Sequence, residues 1–219
     1  MKAKSIKGKS TEEIKSALEQ SIVDGYKPTM AFVFLTDVEE IDKISVVLDA
    51  EGIAIFGAST SEKFTEDGIE PDGIVLLLLD INIDHFKILI KDFKSASVYE
   101  SACQVGEFSV TIFDHPAFII SAADYTIFGE EIIKGLLDKA GADVTVIGGM
   151  AGEPVNFSGT VFTNHSKCTS GLISLILDED KIDVKGIAIS GWKPVGTEKR
   201  ITKSEGSWIY TIDNEPAMD

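Results

Sequence analysis

Few cysteines, few histidines and no long hydrophobic run occur in this sequence of 219 residues, and each shortage excludes a class of protein. Two cysteines, Cys103 and Cys168, are too few for a disulfide framework or a cysteine-rich zinc site. No apolar run exceeds six residues, as in Ile74–Leu79, whereas a membrane helix needs about 20. A secretory signal peptide begins with a positively charged segment followed by an apolar one, and the first residues of this sequence do not show that pattern. We therefore expect a soluble, cytoplasmic protein without a membrane partner.

Positive charge is also scarce, with 20 lysines and arginines against 36 aspartates and glutamates and a net charge of −16. Nucleic-acid binding needs clustered basic side chains, and here they are scattered apart from a mild run at Lys2–Lys9. The composition therefore argues against nucleic acid as a partner, and the acidity indicates solubility rather than a particular activity. Hydrophobic residues make up 44% of the chain, which is enough for a folded core.

The same order of elements occurs twice along the chain. Ser10 and Ser97, 87 residues apart, each open a helix with the Ser-x-x-Glu spacing of a capping box. Each helix precedes a buried strand, a second helix, another strand that runs into small residues, and two further apolar runs. We expect a single domain made of two similar halves, at about residues 10–92 and 97–190, followed by a hairpin at about 197–213.

Apolar runs and capping signals predict the individual elements. Residues 1–9 form either a tail or a first strand. Four helices are expected, at residues 10–25, 37–52, 97–108 and 129–140. The expected strands are 30–35, 53–56, 117–121 and 144–147, with 74–79 beside 86–90 and 172–177 beside 182–189 as two antiparallel pairs.

Each half offers one mixed sheet with two apolar faces, because its strands are continuous apolar runs. Helices can cover one face of such a sheet, and the other face must be buried elsewhere. Packing sheet against sheet with the helices outside meets both requirements. This predicts an α/β fold, of mixed α+β character, arranged as an α/β/β/α sandwich. One continuous mixed sheet with helices on both faces is the alternative.

Several segments together resemble the N-terminal module of FIST proteins, an intracellular signal-transduction sensory domain. They are the opening STEEIKSALEQSIVDGYKPTMAFVFLT, then IFGASTSE, GGMAGEPVNF followed by FTN, SGLISLIL, GIAISGWKPVG and TIDNEPA. IFGAST or GGMAG alone is weakly specific, whereas the ordered set, which spans about Ser10 to Ala217, is typical of the family. One residue departs from the pattern: Glu62 stands where the family commonly has glycine, which reaches positive φ more easily.

The resemblance implies a sensory role. Modules of this family resemble input domains of histidine kinases, chemoreceptors and nucleotide cyclases, and small ligands such as amino acids are proposed for them. Some relatives bind haem and sense nitric oxide. Full-length members also carry a C-terminal FIST module, which the segment Asp213–Ala217 normally precedes and which we expect this chain to lack. The resemblance thus implies a small-molecule ligand and a signalling partner.

Two loops rich in small residues are expected at equivalent strand ends. Glycine and alanine let a ligand approach the backbone closely, and free N–H groups and hydroxyls there could hold a carboxylate. Close packing between the sheets, or a tight strand exit, would explain the same residues. The polar segment after the second loop, with Glu153 and Asn156, could hydrogen-bond to the ligand or form ordinary turns. Trp192 could form the wall of a pocket or fill the end of the sandwich. The candidate ligand-binding residues are Gly57, Ala58, Ser59, Thr60, Ser61, Gly148, Gly149, Met150, Ala151, Gly152, Glu153, Asn156 and Trp192.

Three alternatives remain beside the sensory hypothesis. A hydrolase with Ser59 or Thr60 as nucleophile would need a base within hydrogen-bond reach of that hydroxyl. A haem-based gas sensor would need His85, His115 or His165 as axial ligand inside a large apolar pocket. The histidines do not pair at metal-ligand spacing, so we expect neither a metal nor another cofactor. A purely structural interaction module would show a filled cleft and an exposed apolar patch instead of a pocket.

Overall fold

The structure, a computed structural model, describes residues 1–23, 25–127, 129–152, 159–187, 191–206 and 208–218. It divides into two compact units, Met1–Lys185 and Gly186–Asp219. The helices of the first unit are α1 (Thr11–Ser21), α2 (Ile41–Ala50), α3 (Val98–Ile112) and α4 (Gly129–Ala140). Its strands are β1 (Lys2–Gly8), β2 (Met30–Leu35), β3 (Ala54–Ser59), β4 (Lys63–Thr65), β5 (Gly68–Glu70), β6 (Ile74–Asp80), β7 (Phe86–Asp92), β8 (Pro116–Ala123), β9 (Val146–Met150), β10 (Val161–Phe162), β11 (Lys167–Cys168) and β12 (Gly171–Asp178).

Two mixed sheets share one strand order. The first sheet has the order β1-β6-β2-β3-β10-β11, and the second has the order β7-β12-β8-β9. The neighbours joined through a helix, β2 with β3 and β8 with β9, run parallel. The pairs of β6 with β1 and β2, and of β12 with β7 and β8, are antiparallel. The four strands of the second sheet therefore match four strands of the first in order and direction.

Alternating side chains show that the two sheets pack face to face. Along β2, Met30 belongs to a core shared by both sheets, whereas Ala31 belongs to a core beneath α1 and α2. Along β12, Ile173 points into the shared core and Leu172 into a third core beneath α3 and α4. Both faces of the central strands of each sheet are thus buried, as their apolar sequences require, whereas the edge strand β9 is partly exposed. The predicted α/β/β/α sandwich is confirmed, and the single continuous sheet is not observed.

The predicted antiparallel pairing of residues 74–79 with residues 86–90 is wrong. β6 pairs with β1 and β2 in the first sheet, whereas β7 pairs with β12 in the second. A single turn of 3₁₀ helix, Ile83–His85, carries the chain from one sheet to the other. β7 therefore begins the second set of strands instead of ending the first. That the matching sets are two halves of one ancestral unit remains a proposal.

The predicted pairing of residues 172–177 with residues 182–189 is also wrong for the part of the second segment that the structure describes. Residues 182–187 form no strand, and residues 188 and 189 lie outside the described residues. β12 is a central strand with β7 on one side and β8 on the other. The segment after it therefore has no free edge of β12 with which to pair.

The helix signals are largely confirmed. The Ser97 hydroxyl accepts a hydrogen bond from the Glu100 N–H at 3.2 Å, and the Glu100 carboxylate accepts one from the Ser97 N–H at 3.0 Å. This capping box opens α3, which runs to Ile112 and is thus longer than expected. Ser10 caps α1 by accepting from the Glu13 N–H, but the Glu13 carboxylate accepts from the Lys9 N–H instead of the Ser10 N–H, so the predicted capping box is only half formed. α1 also ends at Ser21, earlier than predicted. The first nine residues contribute strand β1, which was one of the two alternatives.

The second unit contains a three-stranded sheet. Its strands are β13 (Ile201–Glu205), β14 (Trp208–Ile212) and β15 (Glu215–Pro216), in that order. The predicted hairpin is present, although its first strand begins at Ile201 instead of about residue 197. Across both units, no helix among the described residues has the length and apolar composition needed to span a bilayer.

Candidate ligand-binding cleft

A cavity of about 570 Å³ lies within the first unit, between the inner faces of the two main sheets. Strand alternation explains its composition, because only every second residue of a strand faces inward. The first sheet lines it mainly with Phe32, Phe34, Phe56 and Leu77, and the second sheet with Ile119, Ser121, Gly149 and Ala151. The hairpin formed by β4 and β5 borders it. Most of the lining is therefore apolar.

Small residues of the second sheet create the space. In the parallel register, Phe34 lies beside Ala58 in the first sheet and Ser121 lies beside Gly149 in the second. Neighbours in register point to the same face of a sheet, and all four residues line the cavity. A Cβ added at Gly149 would meet no atom within 4 Å. The second sheet thus places a hydroxymethyl group and a hydrogen atom where the first places a phenyl ring and a methyl group.

The carboxyl ends of β3 and β9 meet beside this cavity. The Gly152 N–H donates to the Ser59 carbonyl oxygen at 3.0 Å. The Thr160 N–H donates to the Ser59 hydroxyl oxygen at 2.9 Å, and the Ser59 N–H donates to the Thr160 carbonyl oxygen at 2.8 Å. The bond between Gly152 and Ser59 joins the two small-residue segments of the sequence, and the other two bonds tie the end of β3 to Thr160.

The structure brings together about half of the candidate residues. Those that line the cavity are Ala58, Ser59, Thr60, Gly148, Gly149, Met150 and Ala151. Gly57, Ser61 and Gly152 do not line it, and Trp192 belongs to the second unit, where its side chain is 92% exposed. Glu153 and Asn156 lie outside the described residues.

The two segments are less loop-like than predicted. Residues 57–59 belong to β3 and residues 148–150 to β9, so the expectation of loops from 57 and from 148 is wrong. Pairing continues because β10 hydrogen-bonds to the outer side of β3, and because β9 follows β8 to Met150. Glu62, which replaces the usual glycine, does not adopt a positive φ, so this departure causes no backbone strain.

Close packing explains two of the glycines. A Cβ at Gly57 would lie 2.4 Å from the ring of the fully buried Phe162. At Gly148 it would lie 2.1 Å from the Ile120 carbonyl oxygen, and at Gly152 2.1 Å from the Tyr125 hydroxyl. At Gly57 and Gly148 the packing alternative holds, whereas the clash at Gly152 involves only the end of the Tyr125 side chain, which is 47% exposed, and Gly149 faces open space.

The hydroxyls of Ser59 and Thr60 have backbone partners. Ser59 is fully buried and accepts from the Thr160 N–H, and Thr60 donates to the Glu62 carbonyl oxygen at 2.9 Å. Within the described residues, neither hydroxyl is hydrogen-bonded to a histidine or a carboxylate. The geometry therefore gives no support to the hydrolase alternative, which requires a base at that place.

Ser121 is a lining residue that the sequence reading missed. Its side chain is 7% exposed, and its hydroxyl makes no hydrogen bond with the described part of the chain. The hydroxyl oxygen is not among the fully enclosed unpaired atoms, so it is accessible from the cavity and a bound molecule could supply its hydrogen-bond partner. The available signal was a single hydroxyl at an inward-facing position of the otherwise apolar run Ala117–Ala123.

A buried lysine fixes the hairpin that borders the cavity. Lys63 is 3% exposed, and its ammonium donates to the Thr36 hydroxyl and to the Pro71 carbonyl oxygen at 3.1 Å. Burial lowers the pKa of Lys63, because desolvation disfavours the charged form. Lys63 itself lines the cavity, whereas Thr36 and Pro71 do not, so the ammonium is paired with groups outside the lining. Neighbouring Phe64 lines the cavity entrance and is 80% exposed.

The histidines lie elsewhere. His115 pairs with Asp180 at 2.9 Å and His165 with Asp49 at 3.4 Å, both on the surface, and His85 contacts Asn82. No histidine or cysteine is found among the described residues that line the cavity. The described residues also contain no cluster of three or more metal-ligating side chains. This cavity therefore does not fit haem, which needs an axial ligand.

The FIST N domain model matches residues 29–215, nearly the whole chain. The chain belongs to the FIST N family. FIST domains are a signal-transduction sensory family, so the resemblance seen in the sequence is confirmed. No curated protein matches the chain. For this FIST N domain, the inter-sheet cavity is the structural feature on which a sensory role can be based.

Proposed function

We propose that this FIST N domain is a cytoplasmic sensory module that binds a small molecule in the cleft between its two sheets. The observation that carries the proposal is the cavity of about 570 Å³, lined by seven of the candidate residues. Its size falls within the range of about 300–1,000 Å³ that small-molecule sites occupy. Its lining of apolar side chains with a few polar groups is also typical of such sites.

A ligand in this cleft would contact both sheets and the hairpin formed by β4 and β5. It could therefore favour one arrangement of the sheets over another, provided that its affinity differs between the two arrangements. A signalling partner, such as a histidine kinase, chemoreceptor or cyclase, would respond to that shift. The resemblance to input domains supports this class of partner.

Amino acids are the ligands that the family resemblance implies. The phenylalanines at positions 32, 34 and 56 restrict the choice to those with aromatic or aliphatic side chains. Calorimetry and thermal shift with tryptophan, tyrosine, phenylalanine, leucine, indole and 4-methylphenol would test whether the cleft binds any of them. We expect at least one compound to bind and to raise the melting temperature.

Gly149→Leu locates the binding. Its side chain would extend into the cavity without a clash at Cβ, so binding should fall at least tenfold while the fold remains. Gly129→Leu is the matched control, because Gly129 also has open space around its Cβ and does not line the cavity. If none of the compounds binds, or if binding survives in the Gly149→Leu protein, the cleft is not the sensory site.

A further inference from the structure

We propose that the ligand of the cleft is an uncharged, predominantly apolar molecule with one hydrogen-bonding group, and that the Ser121 hydroxyl binds this group. The inference rests on the proposed function and specifies the chemistry of the same site. Small aromatic alcohols, phenols and indoles represent this class.

The first argument is the unsatisfied hydroxyl. Ser121 lies on β8 between Ile119 and Ala123, two residues that also face the space between the sheets. It is more than nine-tenths buried, lines the cavity and has no hydrogen-bond partner in the described part of the chain. A ligand with a donor or acceptor at this point would supply the missing partner. An apolar ligand without such a group would leave the hydroxyl unpaired, which costs free energy.

The second argument is the composition of the walls opposite Ser121. Phe32, Phe34 and Leu77 project from the first sheet, and Phe32 packs edge-to-face on Phe56 with ring centroids 5.2 Å apart. Aromatic rings favour such offset or edge contacts with a further ring. The body of the ligand would therefore lie against this aromatic and aliphatic wall of the first sheet, which a flat ring fits.

The third argument is charge. A zwitterionic amino acid would bring an ammonium and a carboxylate into the cleft, and burial of an unpaired charge is costly. Lys63 lines the cavity, but its ammonium is already hydrogen-bonded to the Thr36 hydroxyl and the Pro71 carbonyl oxygen, which do not line it. Glu62 and Glu66 line the cavity from exposed positions on the hairpin and would repel an anion. The charged residues among the described lining are thus Lys63, whose ammonium is already paired with neutral oxygens, and two exposed glutamates, so an uncharged ligand is favoured.

Matched pairs of compounds test this inference in the full chain. Indole is compared with tryptophan, and 4-methylphenol with tyrosine, by calorimetry with the wild-type protein. Each pair shares its ring and differs in the charged amino-acid group. We expect the neutral member of each pair to bind at least tenfold more tightly.

Ser121→Ala tests the role of the hydroxyl. We expect it to weaken binding of indole and 4-methylphenol by about three- to tenfold, the size of one net hydrogen bond. The matched control is Ser174→Ala. Ser174 is also buried without a hydrogen-bond partner, but it does not line the cavity. Its substitution should leave binding unchanged. Toluene lacks a hydrogen-bonding group, so its affinity should not fall in the Ser121→Ala protein.

The outcomes separate this inference from the proposed function. Tighter binding of tryptophan or tyrosine, abolished by Gly149→Leu, would retain the cleft as a sensory site but overturn the uncharged ligand. Equal affinity of indole for the wild-type and Ser121→Ala proteins would overturn the role of Ser121. Circular dichroism confirms that each variant is folded, and Gly149→Val is the smaller substitute if Gly149→Leu does not fold.

Discussion

Gly57 and Gly149 show that two glycines with similar sequence surroundings can serve different purposes. Both lie near the end of a strand that runs parallel to its neighbour. Gly57 is required because the Phe162 ring occupies the space where a Cβ would be, whereas Gly149 leaves space beside the cavity. The sequence identified both as candidates for a ligand site, but only the packed structure distinguishes them.

Substitution should therefore destabilise the protein at Gly57 but leave its stability almost unchanged at Gly149. Gly57→Ala forces the methyl group against the buried Phe162 ring and should cost about 1–3 kcal/mol. Gly149→Ala should change the free energy of unfolding by less than about 0.5 kcal/mol. Urea denaturation of both variants measures the difference. Adding Phe162→Leu to the Gly57→Ala protein should recover part of the loss; no recovery would show that the ring is not the cause.

Glu40 provides a pH-dependent contribution to stability. Its carboxylate accepts hydrogen bonds from Lys43 at 2.5 Å and from the Thr11 hydroxyl and N–H at 2.6 and 2.9 Å. These bonds, that from Lys43 most strongly, lower the pKa of Glu40 from 4.5 to about 2. Because the folded pKa lies below the unfolded value, the stabilisation is present above about pH 4.5 and is lost as the pH falls towards 2.

Comparison with Glu40→Gln isolates this effect. The variant should be less stable than the wild type at about pH 7, and the difference should shrink at about pH 3. Urea denaturation at the two pH values gives the measurement. Glu39→Gln is a suitable control, because in the described part of the chain Glu39 is hydrogen-bonded through its N–H to Asp37 and not through its carboxylate to α1. A difference that stays constant with pH would argue against the pairing.

At the scale of elements, short-range signals were read more reliably than pairing partners. β2 has the predicted bounds, and α4 begins and ends as expected, because apolar periodicity and caps are local properties. The partners of β6 and β7 were assigned wrongly, since adjacent apolar runs look alike whether they form a hairpin or cross between sheets. The hairpin of β4 and β5 was missed because its two strands have three residues each.

The capping box of α3 gives a testable contribution at this scale. Ser97→Ala removes the hydroxyl that accepts from the Glu100 N–H and should cost about 1 kcal/mol of stability. Ser95→Ala, two residues earlier and outside the helix, should have a smaller effect, within about 0.5 kcal/mol. Urea denaturation of the two variants and the wild type measures these losses of stability. Equal losses would mean that the box does not stabilise the helix.

At the scale of the whole molecule, the layered architecture follows from composition. Continuous apolar strands need cover on both faces, and the sandwich is the arrangement in which helices and a second sheet supply it. The cavity, in contrast, could not be predicted from the composition. Its existence depends on which side chains face each other across two sheets, for example Ser121 opposite the phenylalanines of the first sheet. Which residues face each other across the two sheets cannot be predicted from one sequence, because it depends on the strand registers.

The division into two units yields a further expectation. Every described residue that lines the cavity lies between Ser5 and Ala151, within the unit that ends at Lys185. A chain truncated after Lys185 should therefore fold and retain the affinity of the full chain for a cleft ligand, within about twofold. Calorimetry on both chains measures this. A folded but non-binding truncated chain would show that the second unit, which contains Trp192, contributes to the site.

The correspondence between Phe34 and Ser121 has a consequence for how new specificities could arise. A protein built from two identical layers would present the same side chain on both walls, and any change would alter both at once. Here, at corresponding positions, the first layer presents the Phe34 ring and the second presents the small, polar Ser121 side chain. The aromatic side chains of the first sheet can keep the two layers packed, while substitutions at positions 121 and 149 change the size and polarity of the ligand that the cavity accepts. Relatives with different side chains at these two places would then be expected to detect different compounds.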